Sequence, residues 1–230
     1  MKYDIVTKRL LEQNMRAFFK RVLQIEIREG ELLEQIPQEQ IFLRRTDFPV
    51  KVTDKDGNEK IYIIELQTQW NEEKLKNLII YKYLFELRYK CDCEVVIILF
   101  LPHKNARNHF RDNSVLFQFH LVKLYEMDAA IILQDEETDL LPLVPLMKNG
   151  LDYVEKAESM ILKLPESPKK VDIFSEFIIL LGLKDKALSR YYLRRRRELM
   201  FASPIYQQIL QEGREEGIKE GIKEGIKEGI

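Results

Sequence analysis

The chain has 230 residues, 45% of them hydrophobic and 33% charged, which is enough apolar material for one sizeable domain with a small appendage. A net charge of −1 and a pI near 6.4 exclude the global basic field that draws some proteins to nucleic acid by charge alone, so any such contact has to come from a local patch. Cys91 and Cys93 are too few for a disulfide framework or a structural zinc site, the start "MKYDIVTKRLL" has no signal-peptide core, and the longest apolar run, "VVIILFL", falls far short of the ~20 residues that span a bilayer. The expectation is a soluble, cytoplasmic protein with no membrane partner.

Residues 8 to 28 carry Leu11, Met15, Phe18, Phe19 and Val22 at helical spacing and predict one amphipathic helix. A short strand is expected at 41 to 44. "FPVKV" at 48 to 52 and "KIYIIELQ" at 60 to 67 flank an Asp-Gly turn, which predicts an antiparallel hairpin. Residues 71 to 90 predict a helix, with Asn71 as N-cap and Glu72 and Glu73 in the first turn. "EVVIILFL" at 94 to 101 is apolar on both faces, as a central covered strand should be, and 119 to 127 predicts a further strand. The sum is a small mixed sheet with helices against it, an α/β or α+β core over about residues 1–145.

From Leu140 the character changes. "LLPLVPLMKNG" reads as a connector. Residues 151 to 163 and 171 to 200 predict helices, the second ending in Arg190 and the run Arg194 to Arg197, so that 146–205 forms a helical extension. The remainder, 206–230, is a repetitive Glu-Gly-Ile-Lys tail of period four. Its stripes drift by about 40° per repeat around a helix of 3.6 residues per turn, and its glycines each cost about 1 kcal/mol relative to alanine. A frayed helix or disorder is expected there, not a coiled coil.

The chemistry gathers at the end of the hairpin's second strand. Alternation puts Ile61, Ile63, Glu65 and Gln67 on one face. Asp47 enters the first strand ten residues before the turn centre at Gly57, and Glu65 lies eight after it. The two carboxylates can therefore meet at one end of the sheet, where they repel unless a cation lies between them. Hard oxygen ligands of this kind suit Mg²⁺ or Mn²⁺, which can activate water and stabilise charge on a phosphodiester. The competing reading is a strand whose polar end simply emerges into solvent.

An Asp, a hairpin, "IIELQ" and then a helix resemble the PD-(D/E)XK nuclease superfamily. More narrowly, they resemble the Rpn family of recombination-promoting nucleases and putative transposases, in which the motif lysine is commonly Gln. "YDIVTK", "IELQTQW", "NLIIYKYLFEL", "EVVIILFL", "LLPLVPLMKNG" and the repetitive tail are similar to that family in the same order, over roughly residues 3 to 165 plus the tail. The resemblance implies a restriction-endonuclease-like mixed sheet flanked by helices, and an Mg²⁺-dependent (or Mn²⁺-dependent) DNA endonuclease that promotes recombination or transposition-like events. Asp47 and Glu65 match its metal-binding acids and Gln67 its motif lysine, so the expected catalytic set is Asp47, Glu65 and Gln67. Asn77, with Lys76 beside it, stands where the family often has Arg. A first-helix acid is also expected, and Asp4 and Glu12 are both candidates. Lys51, Lys74 and Lys76 are candidates for the cation that a neutral Gln67 does not supply. The expected partner is DNA, with a homodimer plausible because double-strand cleavage usually requires two sites. The alternative is a weakened nuclease fold that binds DNA or a protein.

Other residues carry less. His103, His109 and His120 have no ligand spacing, and the two cysteines read as small hydrophobes. The Arg194 to Arg197 run is either a phosphate contact or a solvated or partner-binding face, and four consecutive arginines point all around a helix. Asp54, Asp56 and Asn58 lack the later Glu of a calcium loop and read as turn chemistry.

Overall fold

The computed structural model describes residues 2–33, 48–134 and 138–228, the side chains at the outer ends of the first and last helices excepted. The chain begins with α1 (Lys2–Gln13) and α2 (Met15–Arg21), so the single helix expected over 8 to 28 is corrected at both ends and in the middle. Asn14 makes the break. Its backbone leaves the helical region (φ −128°, ψ 32°) while its own Nδ2 donates to the Leu10 carbonyl at 3.1 Å, the local bonding by which Asn competes with a helix. Leu10 and Leu11 before the break and Phe18 and Phe19 after it are all buried in one cluster.

β1 (Glu29–Leu32) follows, a strand that no apolar alternation announces because all four residues are exposed. It is an edge strand that crosses α2. A Cβ on Gly30 would lie 2.4 Å from the Met15 sulfur, so the crossing requires glycine unless Met15 shifts. The strand expected at 41 to 44 lies outside the described residues.

β2 (Phe48–Thr53) and β3 (Glu59–Gln67) form the expected antiparallel hairpin, with Thr53 opposite Glu59 and Phe48 opposite Ile64. Gly57 takes the turn's positive φ (+88°). Asp54 accepts hydrogen bonds from Asn58, through side chain and backbone, and from the Asp56 backbone, which holds its carboxyl below the usual range. α3 (Glu72–Tyr89) starts where expected, with Asn71 Oδ1 accepting from the Glu73 and Lys74 backbones at 2.9 and 3.4 Å. β4 (Cys93–Leu99) runs parallel to β3 and is buried almost throughout. A small hairpin of β5 (His109–Arg111) and β6 (Leu116–Gln118) comes next, then β7 (His120–Lys123), parallel to β4. β7 is shorter than the strand expected over 119 to 127, because a 3-10 turn takes over at Leu124.

The mixed sheet therefore has the order β1-β2-β3-β4-β7. One face, carrying Val50, Tyr62, Ile64, Val96 and Ile98, packs on α1, α2 and the C-terminal helices. There Phe19 meets Tyr62 edge to face at 5.4 Å. The other face, carrying Ile61, Ile63, Val95, Ile97 and Leu99, packs on Leu75, Leu78 and Phe85 of α3 and on Phe110, Phe117 and Phe119. Cys93 is buried there, and desolvation pushes its thiol up to about 12, in keeping with a small hydrophobe rather than a nucleophile.

After α4 (Ala130–Leu133), the segment expected to be a connector is a 3-10 stretch over Thr138–Leu146 whose residues from Leu140 to Leu146 are all buried. Seven consecutive apolar residues are too costly to leave in water, and two prolines suit a tight segment that forgoes some backbone bonds. A Cβ on Gly150 would stand 1.9 Å from the Val144 carbonyl oxygen, so this fold-back requires glycine. α5 (Val154–Leu162) and α6 (Pro168–Lys184) follow. α6 is buried all round from Asp172 to Gly182, as a central helix should be. The helix expected over 171 to 200 is divided into α6, α7 (Lys186–Arg195) and α8 (Arg197–Phe201), because Asp185 accepts from the Ala187 and Leu188 backbones at 2.8 and 2.9 Å and starts a new helix. α9 (Pro204–Glu228) carries the repetitive tail as one helix. A single buried cluster joins Val6 of α1, the first sheet face, Phe174 of α6 and Ile205 of α9.

Candidate functional site

Glu65 and Gln67 lie on the α3 side of β3, opposite Ile97 and Leu99 of β4. They do not emerge into solvent: Glu65 is 3% exposed and Gln67 2%. A carboxylate and an amide buried among isoleucines and phenylalanines need partners. Glu65 finds one in the Lys74 ammonium, which forms an ion pair with its Oε1. Lys74 reaches it because Asn71 caps α3 and fixes the helix's first turn beside the end of β3. Of the three candidate lysines, Lys74 is thus the one brought to Glu65. Lys51 shares the face but pairs with Glu59 at 2.8 Å near the hairpin turn, and Lys76 is exposed.

Gln67 is held by the same turn. Its Oε1 accepts from the Asn71 backbone at 3.0 Å. Because a backbone N–H can only donate, the atom facing it is the amide oxygen, and Nε2 is left as the free end. That Nε2 is buried and has no hydrogen-bond partner among the described residues, nor has the neighbouring Trp70 Nε1. The Trp70 ring meets Phe119 at 6.2 Å, and the Gln67 carbonyl accepts from the Phe100 backbone at 2.9 Å, so the amide sits on a rigid frame.

Asp47 lies outside the described residues. Its chain neighbour Phe48 pairs with Ile64, the neighbour of Glu65. Asp4 belongs to α1, its side chain outside the described set. Glu12 is exposed on α1, which packs on the opposite face of the sheet, so the structure does not bring it to Glu65. Asn77 is half-buried on α3.

Among the described residues no group of three or more His, Cys, Asp and Glu side chains is gathered to hold a metal ion. His103 and His109 are half-buried and His120 is exposed. Mg²⁺ needs little from a protein: one or two carboxylates, with waters and substrate phosphates completing its octahedron. Glu65 is one such hard oxygen ligand. The unpartnered Gln67 amide, a donor, suits a water or a phosphate oxygen rather than the cation. Among the described residues the donors gathered here are therefore one carboxylate, already paired with Lys74, and one amide.

A second polar cluster carries no signal that composition or spacing reveals. Asp172 of α6 forms an ion pair with Arg9 of α1 and accepts from Ser203 Oγ at 3.0 Å. One turn on, Glu176 is 1% exposed, with its Oε1 unpartnered among the described residues. Burial pushes its carboxyl up to about 8, against the pull of Arg9 and with the added push of Asp172 and Asp139.

No protein-family model matches this chain, and no curated protein and no solved structure is detectably similar to it. The class that fold and site define is a mixed α/β protein with a buried Glu-x-Gln pair served by a helix lysine.

Proposed function

We propose that this chain is a metal-dependent DNA endonuclease of the Rpn kind, on a restriction-endonuclease-like core. The observation that carries the reading is the placement of Glu65 and Gln67 on one face, buried at the end of a hairpin strand, with one amide donor unspent among the described residues. The order hairpin, Glu-x-Gln strand, helix agrees with the resemblance, in which Asp47 is the second ligand. A bound Mg²⁺ or Mn²⁺ would supply an activated water and neutralise charge on the phosphoryl oxygens. Asp47 and Glu65 would hold it. Gln67 Nε2 donates to the attacking water or to a phosphate oxygen and orients it. Lys74 supplies the positive charge that Gln67 lacks, from the helix rather than from the strand, and stabilises the negative charge that grows on the phosphorus oxygens. Its products would feed recombination or transposition-like events.

The test is nicking of supercoiled plasmid with Mg²⁺ or Mn²⁺ and with chelator. Metal-dependent nicking that falls by roughly a hundredfold or more in Glu65→Ala is expected, the scale on which a group acting on transition-state charge contributes. Nicking that survives in Glu65→Ala moves the activity elsewhere.

A second reading has its own observation. Lys74 already neutralises Glu65, as it would in a nuclease fold that has become a DNA- or protein-binding module. That reading expects no nicking with any metal, and DNA retained in chelator equally by the wild type and by Glu65→Ala.

A further inference from the structure

On a continuous helix Arg194 to Arg197 would point outward at steps of about 100°. The helix is not continuous. α7 stops at Arg195, Arg196 leaves the helical region (φ −123°, ψ 36°), and α8 restarts at Arg197. The break lets all four arginines line one cleft of about 500 Å³, with Lys170, Glu166 and Glu198. Five cations against two carboxylates leave the cleft with an excess of three positive charges in a protein whose net charge is −1. A second hollow shares Arg194 and Arg195 and adds Arg190 and Tyr191.

Two of the cations are fixed in the wall. Lys170 donates to the Leu162 carbonyl at 2.8 Å and to Glu166 at 2.6 Å, and Arg196 Nε donates to the buried Glu158 at 3.2 Å. Arg190, Arg194, Arg195 and Arg197 are exposed, and among the described residues none has a carboxylate within ion-pair distance. Arg197 lies over the Phe201 ring at 5.1 Å, which steadies the guanidinium and leaves its edge to donate. Tyr191 is 55% exposed beside Arg190 and Arg194, braced edge to face by Tyr192 at 5.3 Å.

We propose that this cleft and the hollow beside it form one nucleic-acid backbone site, in which Arg190, Arg194, Arg195 and Arg197 bind consecutive phosphodiesters and Tyr191 offers a stacking surface to an unpaired base. Guanidinium groups present paired donors that match phosphate oxygens, and arginines interleaved with an aromatic are the means by which proteins track a strand. The site is concave, which admits a strand and not a flat bilayer. It is independent of Glu65: α7 and α8 bury Tyr192 and Met200 in the cluster on the other face of the sheet.

The full chain in chelator, titrated against labelled single-stranded and duplex oligonucleotides, tests the site by fluorescence anisotropy without any cleavage. Arg194→Ala/Arg195→Ala should bind roughly tenfold or more weakly at low salt, and the slope of log K against log salt should become shallower by about 0.9 per lost duplex contact, or about 0.7 for a single strand. Arg190→Glu, on the exposed face of α7 away from the break, should weaken binding as well and serves if the double variant fails to fold. Lys186→Ala, an exposed cation of α7 outside the cleft, should bind like the wild type. Unchanged binding in both arginine variants, equal damage from Lys186→Ala, no binding by the wild type, or binding to phosphatidylserine vesicles in place of DNA would each overturn the proposal. Loss of nicking in Glu65→Ala with binding intact would leave it standing.

Discussion

Glu65 and Glu176 are the two most deeply buried carboxylates among the described residues, at 3% and 1% exposure, and the protein treats them differently. Glu65 stands at the end of a strand, where a capped helix starts and can aim a lysine at it. Glu176 stands in the middle of α6, and Arg9, the cation that pulls on it, is paired with Asp172. Burial alone turns a carboxylate into a neutral acid. Burial beside a helix terminus that presents a cation gives the carboxylate an ion-pair partner instead. The difference lies in where each carboxylate stands: at a strand end beside a capped helix, or within a helix buried on all sides.

The largest expected effect breaks the comparison from the Glu176 side. A carboxyl raised from 4.5 to about 8 in the folded state holds a proton that the unfolded chain releases. Its folded form is therefore unpenalised below pH 4.5 and loses stability as pH rises towards 8. Glu176→Gln, which cannot ionise, should match the wild type near pH 4.5 and exceed it near pH 8 by on the order of 4 kcal/mol. Urea midpoints of both proteins across that range check it. Equal slopes against pH would show that Glu176 is not carrying a proton.

Lys74→Ala should cost about 1–3 kcal/mol, because it removes a cation paired with the buried Glu65 carboxylate, while solvent at the half-exposed lysine softens the loss. Adding Glu65→Gln to Lys74→Ala should recover part of that stability, since the buried carboxylate whose lysine was removed is then replaced by a neutral amide. A double-mutant cycle by denaturant unfolding measures the coupling, and additive losses would deny the pair. The smallest effect sharpens the geometry. Asn71→Ala should cost about 1 kcal/mol as a lost N-cap, and by loosening the first turn of α3 it should weaken the Lys74–Glu65 coupling in the same cycle.

Much of this site is legible along the chain. Period-two alternation marks Glu65 and Gln67 as polar residues on a face that begins as core, the Asp-Gly turn brings β2 beside β3, and Asn71 announces α3. What alternation does not reveal is whether the polar end is buried or wet, because that depends on β4, α3 and Trp70 closing over it. Nor does it choose among Lys51, Lys74 and Lys76, because all three satisfy a simple placement argument and only packing shows which ammonium reaches the carboxylate. The Arg9–Asp172–Glu176 group is invisible for a similar reason: its members are 163 residues apart at the ion pair.

The sequence by itself determined the elements whose signals are local. These are the hairpin, the capped α3 and the largely apolar β4, where a few neighbouring residues supply both the hydrogen-bond partners and the hydrophobic pattern. Only the tertiary structure decided the break at Asn14, the exposed edge strand β1 accommodated by Gly30, the burial of Leu140 to Leu146 and the division of the arginine run at Arg196. In each of those places the local preference is weak or divided, and contacts from distant parts of the chain, summed over a shared core, outweigh it.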